Sequence, residues 1–213
     1  MSKEDISSDN QIAFTKELIR KATHMGALIV PGGYYILQLN KLQMLSIMIP
    51  VAFIMLFIDL SRLRQWPFWR SFASKFIGPL VRQHESEGDF TGALYILMSF
   101  WLTIALFSKP IAIAAISFII VGDTFAAIVG RKYGKHKFYK SKTLEGSLSC
   151  LVGMLLVAIL VPDIYLPVVV GGAIVATIFE AYSFGIDDNV TVPLLSGLFM
   201  TLFEKVLLFF EFI

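Results

Sequence analysis

Pro110–Val129 reads Pro-Ile-Ala-Ile-Ala-Ala-Ile-Ser-Phe-Ile-Ile-Val-Gly-Asp-Thr-Phe-Ala-Ala-Ile-Val. These twenty residues carry one charge, Asp123. A helix rising about 1.5 Å per residue needs about 20 apolar residues to cross a hydrocarbon core, so this stretch reads as a membrane span. Directly after it, Arg131, Lys132, Lys135, Lys137, Lys140 and Lys142 crowd six cations into one connection. A buried acid close to a dense basic loop is the feature from which the rest of the chain is read.

The composition agrees with a chain made for lipid. Apolar residues make up 56% of the 213, charged residues 16%, and there are 19 Phe; mean hydropathy is +0.73. Soluble domains carry about 25% charged residues. A soluble globule of this length would have no way to hide that much apolar surface, which excludes a cytosolic enzyme, a nucleic-acid-binding module and a disordered chain. The lone cysteine, Cys150, excludes an intrachain disulfide framework and a Cys-clustered zinc site.

Seven apolar stretches are expected to span: Arg20–Leu39, Leu42–Leu60, Phe90–Phe107, Pro110–Val129, Leu144–Val161, Leu166–Gly185 and Val190–Phe212. The fold class is therefore all-α, a polytopic helical bundle. Residues 1–19 form a polar N-terminal tail without the apolar core of a signal peptide, and residues 20–213 form one integral-membrane domain. With the N-terminus in the cytoplasm, fifteen of the eighteen Lys and Arg residues fall on the cytoplasmic side. That is the bias the positive-inside rule requires.

On this topology the remaining polar groups collect at one end of the bundle. Arg20, Lys21 and His24 open the first span, and Asp59 closes the second. Gly122-Asp123-Thr124 lies in the inner half of the fourth, Glu145 opens the fifth and Glu180 lies late in the sixth. Asp187-Asp188-Asn189 connects the last two. Asp59 and Arg62, three residues apart at a helix end, read as an ordinary interface ion pair. Carboxylates within hydrocarbon otherwise point to function. Acids beside a basic loop suit a divalent cation with polyphosphate, because Mg²⁺ takes one or two carboxylates while the metal, Lys and Arg neutralise phosphates. Asp123, Asp187, Asp188 and Glu180 are the candidate metal carboxylates. Lys142-Thr143-Leu144-Glu145-Gly146-Ser147 leads the basic loop into a helix N-terminus, whose free N–H groups suit phosphate. Neither GxxxxGK[ST] nor GxGxxG occurs.

Four segments in order resemble the polyprenol kinase family, which includes dolichol kinases, phytol kinases and CTP-dependent diacylglycerol kinases. They are Arg20-Lys21-Ala22-Thr23-His24, Gly122 through Gly134, Lys142 through Ser147, and Asp187 through Leu194. The resemblance implies a membrane enzyme that moves the γ-phosphate of CTP onto a lipid hydroxyl with Mg²⁺ or another divalent cation. It makes Asp123, Asp188, Lys142 and Glu145 the catalytic candidates. It assigns Arg20, Lys21, Gly122, Thr124, Gly130, Arg131, Lys132, Lys142 and Asn189 to the nucleotide. The implied partners are CTP, a lipid alcohol (diacylglycerol, phytol or polyprenol) and the bilayer, with the site facing the cytoplasm of a plasma or ER membrane.

Two other functions compete. Phosphatidate cytidylyltransferases are distantly similar and use the same cations for attack at the α-phosphorus. Their Lys-Asp pair, His-Gly-Gly stretch and closing Asp-Arg do not occur in order here. A transporter would carry polar groups through the whole membrane depth, whereas here they stop at one half.

Overall fold

The structure is a computed structural model that describes residues 18–77, 88–182 and 187–210. Residues 18–26 form α1, followed by α2 (Ile29–Ile36) and α3 (Lys41–Leu63). After a π-turn at Trp69–Ala73 come α4 (Gly92–Leu106), α5 (Lys109–Tyr133), α6 (Leu144–Leu160), α7 (Leu166–Ala181) and α8 (Asp188–Phe209). Between α5 and α6 the basic connection folds into an antiparallel hairpin, β1 (Lys137–Tyr139) with β2 (Lys142–Thr143), turning at Lys140 with φ 48°. The architecture is otherwise all-α. Of the tail assigned to residues 1–19, residues 1–17 lie outside the described residues; Leu18 and Ile19 are already helical.

One expectation is overturned. The stretch Arg20–Leu39 is not a single helix; the chain turns at Ala27 and Leu28 and restarts. Pro31 explains the break, because a proline donates no N–H and its ring collides with the carbonyl four residues back, here that of Ala27. In the broken form Pro31 is buried in the first turn of α2, where a missing N–H leaves nothing unsatisfied. α3 has a clean start: Asn40 accepts from Gln43 N–H, and the Gln43 side chain accepts from Asn40 N–H, both at 2.9 Å. That reciprocal pair is a capping box.

α5 is the axis of the bundle. Every residue from Ile111 to Ile120 is buried, as befits a helix that is apolar all round, and α2, α4, α6, α7 and α8 pack against it. α5 and α6 approach to backbone contact where they leave the core. A Cβ on Gly146 would stand 3.1 Å from the Ala126 carbonyl oxygen and 3.2 Å from Gly130 Cα. Small residues at such a crossing let two helix backbones meet, and this one brings β2 and the start of α6 against the exit of α5.

α3, α5 and α8 are long and apolar enough to cross a membrane; α4, α6 and α7 are apolar and shorter, at 15, 17 and 16 residues. Large apolar side chains stand exposed along the outside, among them Phe53, Ile54, Ile159, Leu160 and Phe209. So continuous an apolar exterior suits lipid rather than water.

Asp59 and Arg62 of α3 form a closed polar knot in the interior. Asp59 Oδ1 accepts from Arg62 Nε at 3.3 Å, and Oδ2 accepts from the Thr91 N–H at 2.9 Å and its hydroxyl at 2.8 Å. Arg62 Nη2 also donates to the Asp89 carbonyl. The ion pair read from the sequence is in place, and it ties α3 to the start of α4.

A candidate phosphate-binding cavity

The α5–α6 crossing leaves a cavity of about 260 Å³. α1 contributes Arg20 and Lys21, α5 contributes Asp123 and Arg131, β2 contributes Lys142, and α7 contributes Glu180. Four cations thus face two carboxylates on its wall, a balance that attracts anions.

Two charge clusters border this space. In the first, the Lys21 ammonium, only 2% exposed, donates to Asp123 Oδ2, joining α1 to α5 across 102 positions of sequence. His24 Nε2 stands 3.7 Å from the same oxygen. In the second, Lys142 Nζ bridges Glu180 Oε1 at 2.5 Å and Asp188 Oδ2 at 3.2 Å. Burial works against the Lys142 charge, but Glu180 and Asp188 outweigh it and hold the pKa above the ordinary lysine value. Lys142 is therefore cationic throughout the neutral range. Asp123 also contributes to holding Lys142 charged, so the two clusters share one electrostatic neighbourhood.

Several candidates from the sequence meet here: Arg20, Lys21, Asp123, Gly130, Arg131, Lys142 and Glu180 line the cavity, and Asp188 touches Lys142. Others do not. Glu145 turns into the hairpin, where its carboxylate accepts from the Lys135 and His136 N–H groups at 3.1 and 3.3 Å and meets His136 Nδ1 at 2.7 Å. Asp187 caps α8, its Oδ1 accepting from Asn189 N at 2.8 Å and Nδ2 at 2.6 Å. Gly122 faces Met154 and Cys150 of α6. The Thr124 hydroxyl donates to the Ile120 carbonyl of its own helix. Lys132 is exposed over the Tyr133 ring. The start of α6 is also less open than expected: Leu144 N–H donates to the His136 carbonyl and Gly146 N–H to Thr143 Oγ1. Ser141 lines the cavity without any sequence signal having marked it.

Among the described residues no group of three His, Cys, Asp or Glu side chains could hold a metal ion. The acids are instead shared out between Lys21 and Lys142. The arrangement suits a phosphate-bearing ligand, whose charge the four cations of the wall would offset.

Fold and cavity together define a class: an all-α, membrane-type bundle that holds a cation-rich pocket at one end of its central helix. Comparison with known proteins narrows it. An uncharacterised protein of Rickettsia prowazekii is 30% identical over 204 residues, covering 91% of this chain and 98% of the relative. CTP-dependent diacylglycerol kinase 1 of Schizosaccharomyces pombe is 33% identical over 144 residues, 64% of this chain and 62% of that protein. The Saccharomyces cerevisiae protein of the same name is 28% identical over 212 residues, 86% of this chain and 72% of its own. A probable chloroplastic phytol kinase 1 of Glycine max is 32% identical over 138 residues, covering 46% of that protein. No family model and no solved structure matches. The chain belongs to the polyprenol kinase family of lipid kinases.

Proposed function

We propose that the protein transfers the γ-phosphate of CTP to the hydroxyl of a membrane lipid alcohol, in the cavity between α1, α5, β2 and α7. The observation that carries this reading is the lining itself. Arg20, Lys21, Arg131 and Lys142 converge on one space beside Asp123 and Glu180, and the relatives are CTP-dependent diacylglycerol kinases and phytol kinases. The helices cross the bilayer with the cavity at the cytoplasmic face, where nucleotides are. The placement of fifteen of eighteen cations on that side supports this.

In the reaction the lipid oxygen bonds to the γ-phosphorus as the bond to the β-phosphate oxygen breaks. CDP leaves with the electron pair. Such transfer needs positioning and charge neutralisation more than covalent help. Arg20, Arg131 and Lys142 bind and orient the triphosphate. Lys21 fixes Asp123, and the Glu145 contacts fix the hairpin that carries Lys142. The lipid hydroxyl enters from the inner leaflet, and its proton passes to a carboxylate of the cavity or to water.

A divalent cation fits the donor set, since Glu180 Oε2 is buried without a hydrogen-bond partner among the described residues and Mg²⁺ needs only one or two protein carboxylates beside phosphates and water. Glu180 and Asp188, which Lys142 already draws together, are the residues that would hold it. It would supply further neutralisation of phosphate charge.

The test uses purified protein in detergent, CTP labelled at the γ or the α position, and diacylglycerol, phytol and polyprenol in turn. Label from γ-CTP alone should appear in one of the lipids. Label from α-CTP in the lipid would instead establish cytidylyl transfer and overturn the proposal.

A further inference from the structure

The two lysines that hold the cavity acids are committed to different degrees. Lys21 is 2% exposed and serves one carboxylate, Asp123. Lys142 is 24% exposed, stands on the hairpin and serves two carboxylates from two helices, Glu180 and Asp188. Glu180 also has an open side: it is 1% exposed, lines the cavity, and its Oε2 has no hydrogen-bond partner among the described residues. Buried carboxylate oxygens are almost always satisfied, and an unsatisfied one calls for an explanation such as a missing ion.

We propose that Lys142 is a placeholder, which yields Glu180 and Asp188 to a divalent cation when the cavity is loaded and turns its own ammonium to the phosphates. This rests on the nucleotide reading above and deepens it. The charge count closes, because two carboxylates and one divalent cation are neutral, and the released ammonium joins Arg20 and Arg131 against the phosphates. Lys142 already lines the cavity, and a lysine is a compact charge on a flexible four-carbon chain. Lys21 has no such freedom, since withdrawing it would strand a charge inside the protein.

The test is Mn²⁺ binding to the purified protein in detergent, read by electron paramagnetic resonance without nucleotide or lipid. Lys142→Ala and Lys142→Gln remove the competing charge and should each tighten Mn²⁺ binding about 10-fold, while raising the KM for CTP. Glu180→Gln and Asp188→Asn should each weaken Mn²⁺ binding by at least about 10-fold. A lysine that merely braces α7 against α8 would leave Mn²⁺ affinity unchanged on removal, and that result, or unchanged binding in Glu180→Gln, overturns the proposal. A variant counts only if its thermal midpoint in detergent shows it folded, and the glutamine form serves if the alanine form is not. Because no CTP or lipid is present, this test fails independently of the labelled-CTP experiment.

Discussion

Two polar clusters sit inside this apolar bundle, and they are built on opposite plans. Around Asp59 both carboxylate oxygens are taken, by Arg62 and twice by Thr91, and Arg62 is shared with the Asp89 carbonyl. Around Glu180 one oxygen is held by Lys142 and the other has no hydrogen-bond partner among the described residues, with a cavity of about 260 Å³ alongside. The first cluster is complete in itself and ties α3 to α4. The second is incomplete and borders space. Charge buried in a membrane protein is functional by default, but the comparison sharpens that rule: the satisfied charge of Asp59 braces two helices, and the open side of Glu180 beside a cavity is where we propose that binding occurs.

The largest expected effect breaks the brace. Asp59→Ala strands Arg62 and should destabilise the protein by about 3–5 kcal/mol, as removal of one partner from a buried pair does. Thermal denaturation in detergent measures it, and the protein that remains folded should keep its kcat/KM. Gly146→Ala tests the scaffold that positions the cavity rather than its charges. Its Cβ would lie within 3.0–3.2 Å of Thr143 Oγ1, the Ala126 carbonyl and Gly130 Cα. Overpacking of that kind costs about 1–3 kcal/mol, and here it should also raise the KM for CTP by prising β2 from α5. The smallest effect is expected at Lys132, exposed over Tyr133 and outside the cavity. Lys132→Ala should change kcat/KM by less than about twofold, since exposed charges are screened. A large loss there would mean that the whole basic loop, not the cavity, binds the phosphates.

The positions of the helices were legible because hydropathy measures directly what lipid demands. Six of the seven expected spans coincide with helices, from α3 to α8. The remaining stretch, Arg20–Leu39, is two helices for a local steric reason: the break falls at Ala27 and Leu28, where Pro31 denies the helix its hydrogen bond. The site was legible as a set of residues and not as a set of contacts. Lys21 and Asp123 are 102 residues apart, and no periodicity joins them. The resemblance put Glu145 among the catalytic candidates, but successive helix residues turn by about 100°, and its carboxylate enters the hairpin. Asp187 and Asp188 read as one metal-seeking pair. A single step along the chain separates a helix cap from a partner of Lys142. The basic loop read as a connection, and its fold into a hairpin follows from the Lys140 turn and from Glu145, neither of which has a hydropathy signal.

The most direct measurement compares Asp123→Asn with Asp59→Asn in matched purified preparations, assayed for transfer of the γ-label of CTP to lipid. Both substitutions keep the shape of the side chain and remove its charge. Asp123→Asn is expected to lose about 10²–10³-fold in kcat per folded protein, the scale of losing one electrostatic contact to the reacting groups, and its thermal midpoint should fall as well, because the buried Lys21 ammonium loses its partner. Asp59→Asn should lower the midpoint and leave the transfer rate of the folded protein intact. Full transfer by Asp123→Asn, or transfer lost only in a folded Asp59→Asn protein, would contradict the placement of the reaction in this cavity.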